Sequence, residues 1–137
     1  MDAEKFLKQI RTLDNRIWNT QKEIEMWKNK AEYGGIDYGR ERVKSSGSKS
    51  RVEDMICKAL GLQEQLEKDI KLRRSIIDAL NRLSEVHIDG YSVLYEIFVL
   101  GHSYKEIAVK NEKSLSWVRD NRASGLRELE RILENGR

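Results

Sequence analysis

The apolar spacing of the first 32 residues most constrains the fold of this chain. Between residues 2 and 32, apolar side chains recur at steps of three, four or seven residues and so form one stripe along a helix. This heptad period predicts a helix of roughly 45 Å that packs lengthwise on another helix. Gly34 and Gly35 predict its end, because glycine weakens a helix interior. The stripe consists of Phe6, Ile10, Leu13, Ile17, Ile24 and Trp27.

A second long helix is predicted from about residue 50 to 83. The stretch before it, 34–49, shows no apolar period and predicts a flexible linker with the basic residues Arg40, Arg42, Lys44 and Lys49. Two helices of matched length joined by a linker predict an antiparallel hairpin over residues 1–87. The second stripe consists of Val52, Ile56, Ala59, Leu66, Ile70, Ile77 and Leu80, widened by Met55, Leu62, Ile76 and Leu83.

Shorter helices are predicted in residues 88–137. Residues 89–100 show helical apolar spacing that ends at Gly101, because glycine commonly follows the last turn of a helix. The side chains expected to point inward from this helix are Val93, Leu94, Ile97, Phe98 and Leu100.

Two serines predict the starts of two further helices. Ser103 and Glu106 have the spacing of a capping box, which predicts a helix over about 104–111. Ser114 predicts the N-cap of a last helix that extends to about Leu133. Two helices joined by a tight polar turn, with a helix in front, form a trihelical helix-turn-helix, and the whole chain is predicted to be all-α. The expected buried residues are Ile107, Ala108, Val118, Leu126, Leu129 and Leu133.

The segment from residue 101 to 133 resembles the fourth region of bacterial sigma factors, which reads promoter elements. The stretch "GHSYKEIA" is similar to the family's glycine–x–serine–x–x–glutamate–isoleucine–alanine opening, and "SLSWVRDNRASGLREL" is similar to its recognition helix. Over the whole chain the likeness is to phage and prophage regulators of the ArpU/RinA type, which carry a helical hairpin before a region-four unit. The turn departs from the family, which usually has leucine, glycine and valine where this chain has Asn111, Glu112 and Lys113.

The resemblance implies that the polar face of the last helix enters the major groove of double-stranded DNA. Arg119 is the strongest candidate for reading a base, because arginine can form two hydrogen bonds with guanine. Trp117 has two open interpretations: it packs on the preceding helix, or it contacts a sugar or a thymine methyl. Residues near the helix starts are candidates for phosphate contacts. The expected DNA-binding residues are Tyr104, Lys105, Lys113, Ser114, Ser116, Trp117, Arg119, Asp120 and Arg122.

The resemblance further implies a phage-encoded transcription regulator that acts with RNA polymerase at late promoters. Apolar residues outside the stripes, such as Trp18 and Met26, need a covering surface and predict a homodimer. Two other functions remain open at this point. One is a small-terminase-like DNA-packaging subunit, and the other is a protein-interaction module with a helix-turn-helix shape.

Composition argues against several other classes of protein. The single cysteine excludes an internal disulfide framework and predicts a cytoplasmic location. No apolar run approaches membrane-spanning length, and neither a metal-ligand spacing nor a glycine-rich phosphate loop is present. We therefore expect no enzyme, no cofactor, no bound metal and no membrane partner. The net charge of +3 is concentrated in the linker and the last third of the chain, a distribution that suits a polyanionic partner.

Overall fold

The computed structural model describes residues 2–37 and 45–136, with side chains at 2–32 and 51–136. Every regular element in these ranges is helical, so the all-α prediction is confirmed for them. None of these helices carries an apolar stretch long enough to cross a membrane. The elements are α1 (Ala3–Asp37), α2 (Ser45–Val86), α3 (Ile88–Leu94), a π-helical turn (Tyr95–Val99), α4 (Tyr104–Asn111) and α5 (Leu115–Asn135).

The two long helices extend further than predicted. Helix α1 ends at Asp37 rather than near residue 32, and α2 begins at Ser45 rather than near residue 50. Gly34 and Gly35 lie inside α1, because each glycine costs only about 1 kcal/mol in a helix that the preceding turns have already nucleated. Both ends of the predicted linker are therefore helical, and Lys49 lies in α2. The linker residues Arg40, Arg42 and Lys44 lie outside the described residues.

The chain divides into two compact units, and the division differs from the predicted boundary at residue 87. The first unit comprises Met1–Leu13 and Leu72–Arg137, and the second comprises Asp14–Lys71. The start of α1 and the end of α2 thus belong with the short helices. The first unit is the part of the chain that holds the predicted DNA-binding residues.

One apolar cluster joins α1, α2, α3 and α5 in the first unit. The predicted stripe of α1 omitted Ala3 and Leu7, which are fully buried, whereas Phe6 is only partly buried. The difference arises because these turns of α1 contact α5 as well as α2, so a wider face is covered than a two-helix seam would need. The buried members are Ala3, Leu7, Ile10, Leu13, Ile76, Ala79, Leu80, Leu83, Leu94 and Leu129.

In the second unit, α1 and α2 make two specific contacts. The contact that comes later in α1 comes earlier in α2. Arg16 Nη2 lies 2.8 Å from Asp69 Oδ1, and Lys58 Nζ lies 4.6 Å from the ring centroid of Trp27. The Asp69 side chain is buried and also accepts a hydrogen bond from Gln65 Nε2 at 3.2 Å. Ile56, expected in the stripe, is 48% exposed. It projects about 140° around α2 from Asp69, away from α1.

The π-helical turn that follows α3 changes the direction in which the next side chains point. The Leu100 N–H donates to the Tyr95 carbonyl at 3.1 Å, which is the five-residue spacing of a π-helix. The extra residue rotates the following side chain by about 100° relative to an α-helix. Leu100, predicted to point inward, is consequently exposed.

Helices α3 and α5 cross with their backbones in contact. A Cβ on Gly90 would lie 2.8 Å from the Cα of Gly125, and a Cβ on Gly125 would lie 3.0 Å from the Cα of Gly90. His87 caps α3 at this crossing, because its Nδ1 accepts the Gly90 N–H at 3.2 Å. Its Nε2 therefore carries the proton and donates to Ser124 Oγ at 2.7 Å. The crossing fixes the position of α5 in the first unit.

Replacing Gly90 with alanine should destabilise the protein. The added Cβ would meet the Gly125 backbone, which moves only if the helices separate, and such overpacking costs roughly 1–3 kcal/mol. Gly61→Ala is the matched control, because a Cβ on this helical glycine meets nothing within 4 Å. That variant should gain up to about 1 kcal/mol. Urea unfolding measures both, and equal stability of the two variants would refute the close crossing.

Candidate nucleic-acid interface

The starts of α4 and α5 have the predicted serine caps. Ser103 Oγ accepts the Glu106 N–H at 3.2 Å, and Glu106 Oε1 accepts the Ser103 N–H at 2.9 Å, so the capping box is confirmed. The hydrogen bond from the Ser103 backbone lowers the pKa of Glu106. Ser114 Oγ accepts the Trp117 N–H at 3.1 Å at the start of α5. These bonds define where α4 and α5 begin.

The turn between α4 and α5 contains a residue in the left-handed backbone conformation. Glu112 has φ 56° and ψ 45°, and it is the only non-glycine residue with positive φ in the described part of the chain. The Lys113 N–H donates to the Ala108 carbonyl at 2.9 Å, and the Glu112 N–H donates to the Val109 carbonyl at 3.2 Å. This is the bonding of a helix C-cap that glycine usually occupies. The backbone at Glu112 is therefore strained, at about 1–2 kcal/mol.

One buried carboxylate holds both ends of α4. Glu96, in the π-helical turn, accepts a hydrogen bond from Asn111 Nδ2 at 3.2 Å and pairs with Lys110 Nζ at 3.1 Å. At the other end of α4, His102 Nδ1 lies 3.5 Å from the same carboxylate, and the His102 N–H donates to the Glu96 carbonyl at 2.8 Å. Asn111 also donates to the Ile107 carbonyl, so its amide is shared. Glu96 therefore fixes the orientation of α4 relative to α3.

The electrostatics of Glu96 follow from these contacts. Burial by itself raises the pKa of this carboxyl group. The hydrogen bond from Asn111 and the ammonium of Lys110 outweigh that effect, so the pKa lies below its ordinary value of 4.5. Glu96 is therefore ionised at neutral pH, and it compensates the charge of Lys110.

Helix α5 has one buried and one exposed face. Val118, Gly125 and Leu129 are buried on the side that meets the other helices. Ser116 and Asp120 lie on the opposite side and are exposed, and Arg119 is exposed at its flank. A second, smaller apolar cluster of Val93, Ile107, Ala108 and Val118 supports the start of α5 from α3 and α4.

The predicted DNA-binding residues fall into three groups in the structure. Exposed ones are Lys105, Lys113, Ser114, Ser116, Arg119 and Asp120. Tyr104 and Trp117 are half-buried and pack against the smaller apolar cluster. This is the packing that one of the two interpretations of Trp117 expected, and its contact with DNA stays a prediction. Lys113 Nζ lies 5.7 Å from the Trp117 ring centroid, and Asn121 Nδ2 donates to the Trp117 carbonyl at 2.9 Å. Arg122 forms the third group, because it pairs with Glu4 instead of facing solvent with the others.

Sequence reasoning missed Glu96 and Glu4. Both are ordinary glutamates in helical segments, and no local spacing distinguishes them from solvated charges. The one available signal was that Glu96 falls among the apolar residues of 89–100, where an acidic side chain has to be paired if it is buried.

The described residues contain no group of three or more His, Cys, Asp or Glu side chains placed to hold a metal ion. Comparison with known proteins gives no match: no protein-family model, no curated protein and no solved structure is significantly similar to this chain.

Replacing Glu112 with glycine should stabilise the protein by about 0.5–1 kcal/mol, because glycine adopts the left-handed conformation without strain. Glu112→Ala is the control, since it removes the same carboxylate but keeps the Cβ. Urea unfolding of both variants separates the backbone effect from the charge effect. Equal stability gains in the two variants would show that charge, not backbone strain, is responsible.

Replacing Glu96 with glutamine should lower stability at neutral pH by roughly 1.5–3 kcal/mol, the range for hydrogen bonds to a charged group. The folded pKa is depressed, so the ionised carboxylate stabilises the fold above pH 4.5, and this contribution disappears as the pH falls through the lower folded-state pKa. The difference between wild type and variant should therefore vanish in acid. Urea unfolding across this range measures it. The control is Glu128→Gln, because Glu128 is only partly buried and pairs with the exposed Arg131; it should show little change at any pH. A pH-independent loss at Glu96 would contradict the ion pair.

Proposed function

We propose that this chain is a sequence-specific, double-stranded DNA-binding transcription regulator in which α4 and α5 form a helix-turn-helix unit. The observation that carries the proposal is the two-sided character of α5. Its apolar side is buried at Val118 and Leu129, whereas Ser116, Arg119 and Asp120 stay in solvent near its capped start. A helix supported on one side, with polar side chains near its N-terminus on the other, has the geometry for insertion into a major groove.

The turn gives independent support to this proposal. Glu112 has a left-handed backbone conformation. It occupies the position at which the turn of sigma region four, which this segment resembles, usually has glycine. A backbone that adopts this conformation despite a non-glycine residue indicates that the tight bend between α4 and α5 is imposed by the surrounding packing. The family resemblance and the observed backbone thus agree at a residue where the side chains differ.

The charges around α4 and α5 also support a polyanionic partner. Of the six basic residues between 103 and 127, Lys110 pairs with Glu96 and Arg122 pairs with Glu4. The other four are exposed and have no ion pair with a described residue: Lys105, Lys113, Arg119 and Arg127. In the proposed mechanism, Lys105 and Lys113 contact phosphates at the two helix starts, and Arg119 reads a base.

The proposal assigns the second unit to self-association. The opposite sequence order of the contacts of Arg16 and Trp27 with α2 supports an antiparallel hairpin. Trp18 is 60% exposed and Leu60 is 55% exposed in this unit, which supports a homodimer that covers them. Recruitment of RNA polymerase at a late phage promoter, and with it a cytoplasmic location, is proposed from the family resemblance alone.

Selection of duplexes from a random-sequence library tests the proposal directly. Enrichment of one sequence should occur, and binding to the selected duplex should weaken steeply with salt because counterions are released from the phosphates. With two phosphate contacts from each protomer of the proposed homodimer, about four in all, affinity should fall roughly 100-fold between about 50 and 200 mM salt. No enrichment, or an affinity indifferent to salt, would overturn the DNA-binding function.

Arg119→Ala should weaken binding to the selected duplex by roughly 1–3 kcal/mol and relax selectivity at one base position. Arg131→Ala is the matched control, because Arg131 is also exposed on α5 but lies three turns further along and pairs with Glu128. Fluorescence anisotropy with the selected duplex and single-base variants measures both effects. Equal effects of the two substitutions would remove Arg119 from the interface.

A further inference from the structure

Arg122 lies on the supported side of α5. It follows buried Val118 by four positions, which places the two about 40° apart around the helix. It is about 120° from Ser116 and about 160° from Asp120, the exposed polar residues. When α5 is presented to a duplex by its exposed face, the Arg122 side chain points toward the rest of the protein.

The surroundings of Arg122 agree with this placement. Its Nη2 lies 2.5 Å from Glu4 Oε1, and its side chain is only 25% exposed. The guanidinium carbon lies 5.8 Å from the ring centroid of Phe98, and Nε is buried without a hydrogen-bond partner among the described residues. The cation is thus held between an aromatic ring and a carboxylate that come from other helices.

Glu4 belongs to the first turn of α1, which is joined to α5 at two places. The hydrogen bond from Arg122, followed by that from Lys8, holds the pKa of Glu4 below its ordinary value. Eight residues further along α5, Glu130 Oε1 accepts the Ala3 N–H at 3.4 Å. The apolar residues Ala3 and Leu7 are buried in the same cluster as Leu129 of α5. The first turn of α1 therefore packs against α5 between Arg122 and Glu130.

We propose that Arg122 is a positioning residue and not a DNA contact, and that Glu4 is the partner through which it sets the orientation of α5. This inference rests on the proposed DNA-binding function. Glu4 thereby gains an indirect role in DNA binding, although it lies in the first turn of α1, 118 positions before Arg122. The ion pair fixes how far the start of α5 projects from its support, and thereby the position of Arg119 relative to a duplex.

The sign of the effect of Glu4→Gln distinguishes positioning from contact. If Arg122 positions α5, Glu4→Gln and Arg122→Met each weaken binding to the selected duplex roughly threefold to tenfold. The double variant then binds no more weakly than either single variant, because each substitution breaks the same pair. If Arg122 instead contacts a phosphate, Glu4→Gln releases the cation and tightens binding.

The salt dependence of DNA affinity is a second measurement that distinguishes positioning from a phosphate contact. If Arg122 positions α5, both single variants keep the wild-type slope of log affinity against log salt. If Arg122 contacts a phosphate, the magnitude of this slope decreases by about 1 in Arg122→Met. Arg122→Lys, which keeps a cation near Glu4, should recover most of the affinity. The control pair is Glu128→Gln and Arg131→Met, an exposed pair on the same helix at 2.8 Å, which should leave the affinity unchanged.

The outcomes separate this inference from the proposed function. Tighter binding of Glu4→Gln, additive losses in the double variant, or a lowered slope in Arg122→Met each overturn the positioning role while leaving DNA binding intact. Failure of the wild-type chain to enrich any duplex overturns the proposed function, and the positioning role with it.

Discussion

The close approach of Gly90 and Gly125 is the constraint on which the first unit depends. Backbone contact between α3 and α5 is possible only where neither helix carries a Cβ, so it fixes both the crossing point and the rotation of α5. Val118, Gly125 and Leu129 lie within about 40° of one another around α5, and each is buried. The apolar side of α5 is therefore held along its length, and the exposed polar side follows as a consequence.

Two carboxylates add ion pairs between elements of this apolar arrangement. Glu96 connects both ends of α4 to the π-helical turn, and Glu4 connects α1 to α5. Each also neutralises a cation, so the unpaired positive charge near α5 is smaller than the sequence suggests. Two fewer cations are therefore left for the proposed contact with DNA.

The local features of this fold were predictable because they depend on residues within four positions of one another. The capping box of Ser103 and Glu106, the cap at Ser114 and the extent of α4 belong to this class. The period of an apolar stripe is also a local signal, but it does not reveal how many neighbours cover the helix. Leu7 was therefore missed, and Ile56 was wrongly assigned to the stripe.

The remaining features of the candidate site depend on pairs that are distant in sequence. Glu4 and Arg122 each resemble a solvated surface charge until the fold brings them together, and so do Glu96 and Lys110. The crossing of two glycines 35 positions apart likewise has no local signature. The sequence could predict which α-helices form and that Ser116, Arg119 and Asp120 of α5 are exposed, but not which charges the fold uses internally.

The buried carboxylate of Asp69 has a consequence for how α1 and α2 align. Arg16 is the cation opposite it, and the second carboxylate oxygen, Oδ2, has no hydrogen-bond partner among the described residues. Sliding α1 by one heptad would bring either Gln9 or Glu23 to the place of Arg16, and neither supplies a positive charge. A buried carboxylate without a cation is strongly unfavourable. The pair of Arg16 and Asp69 thus disfavours a one-heptad shift of α1 along α2. A stripe of interchangeable apolar residues would not distinguish the two alignments.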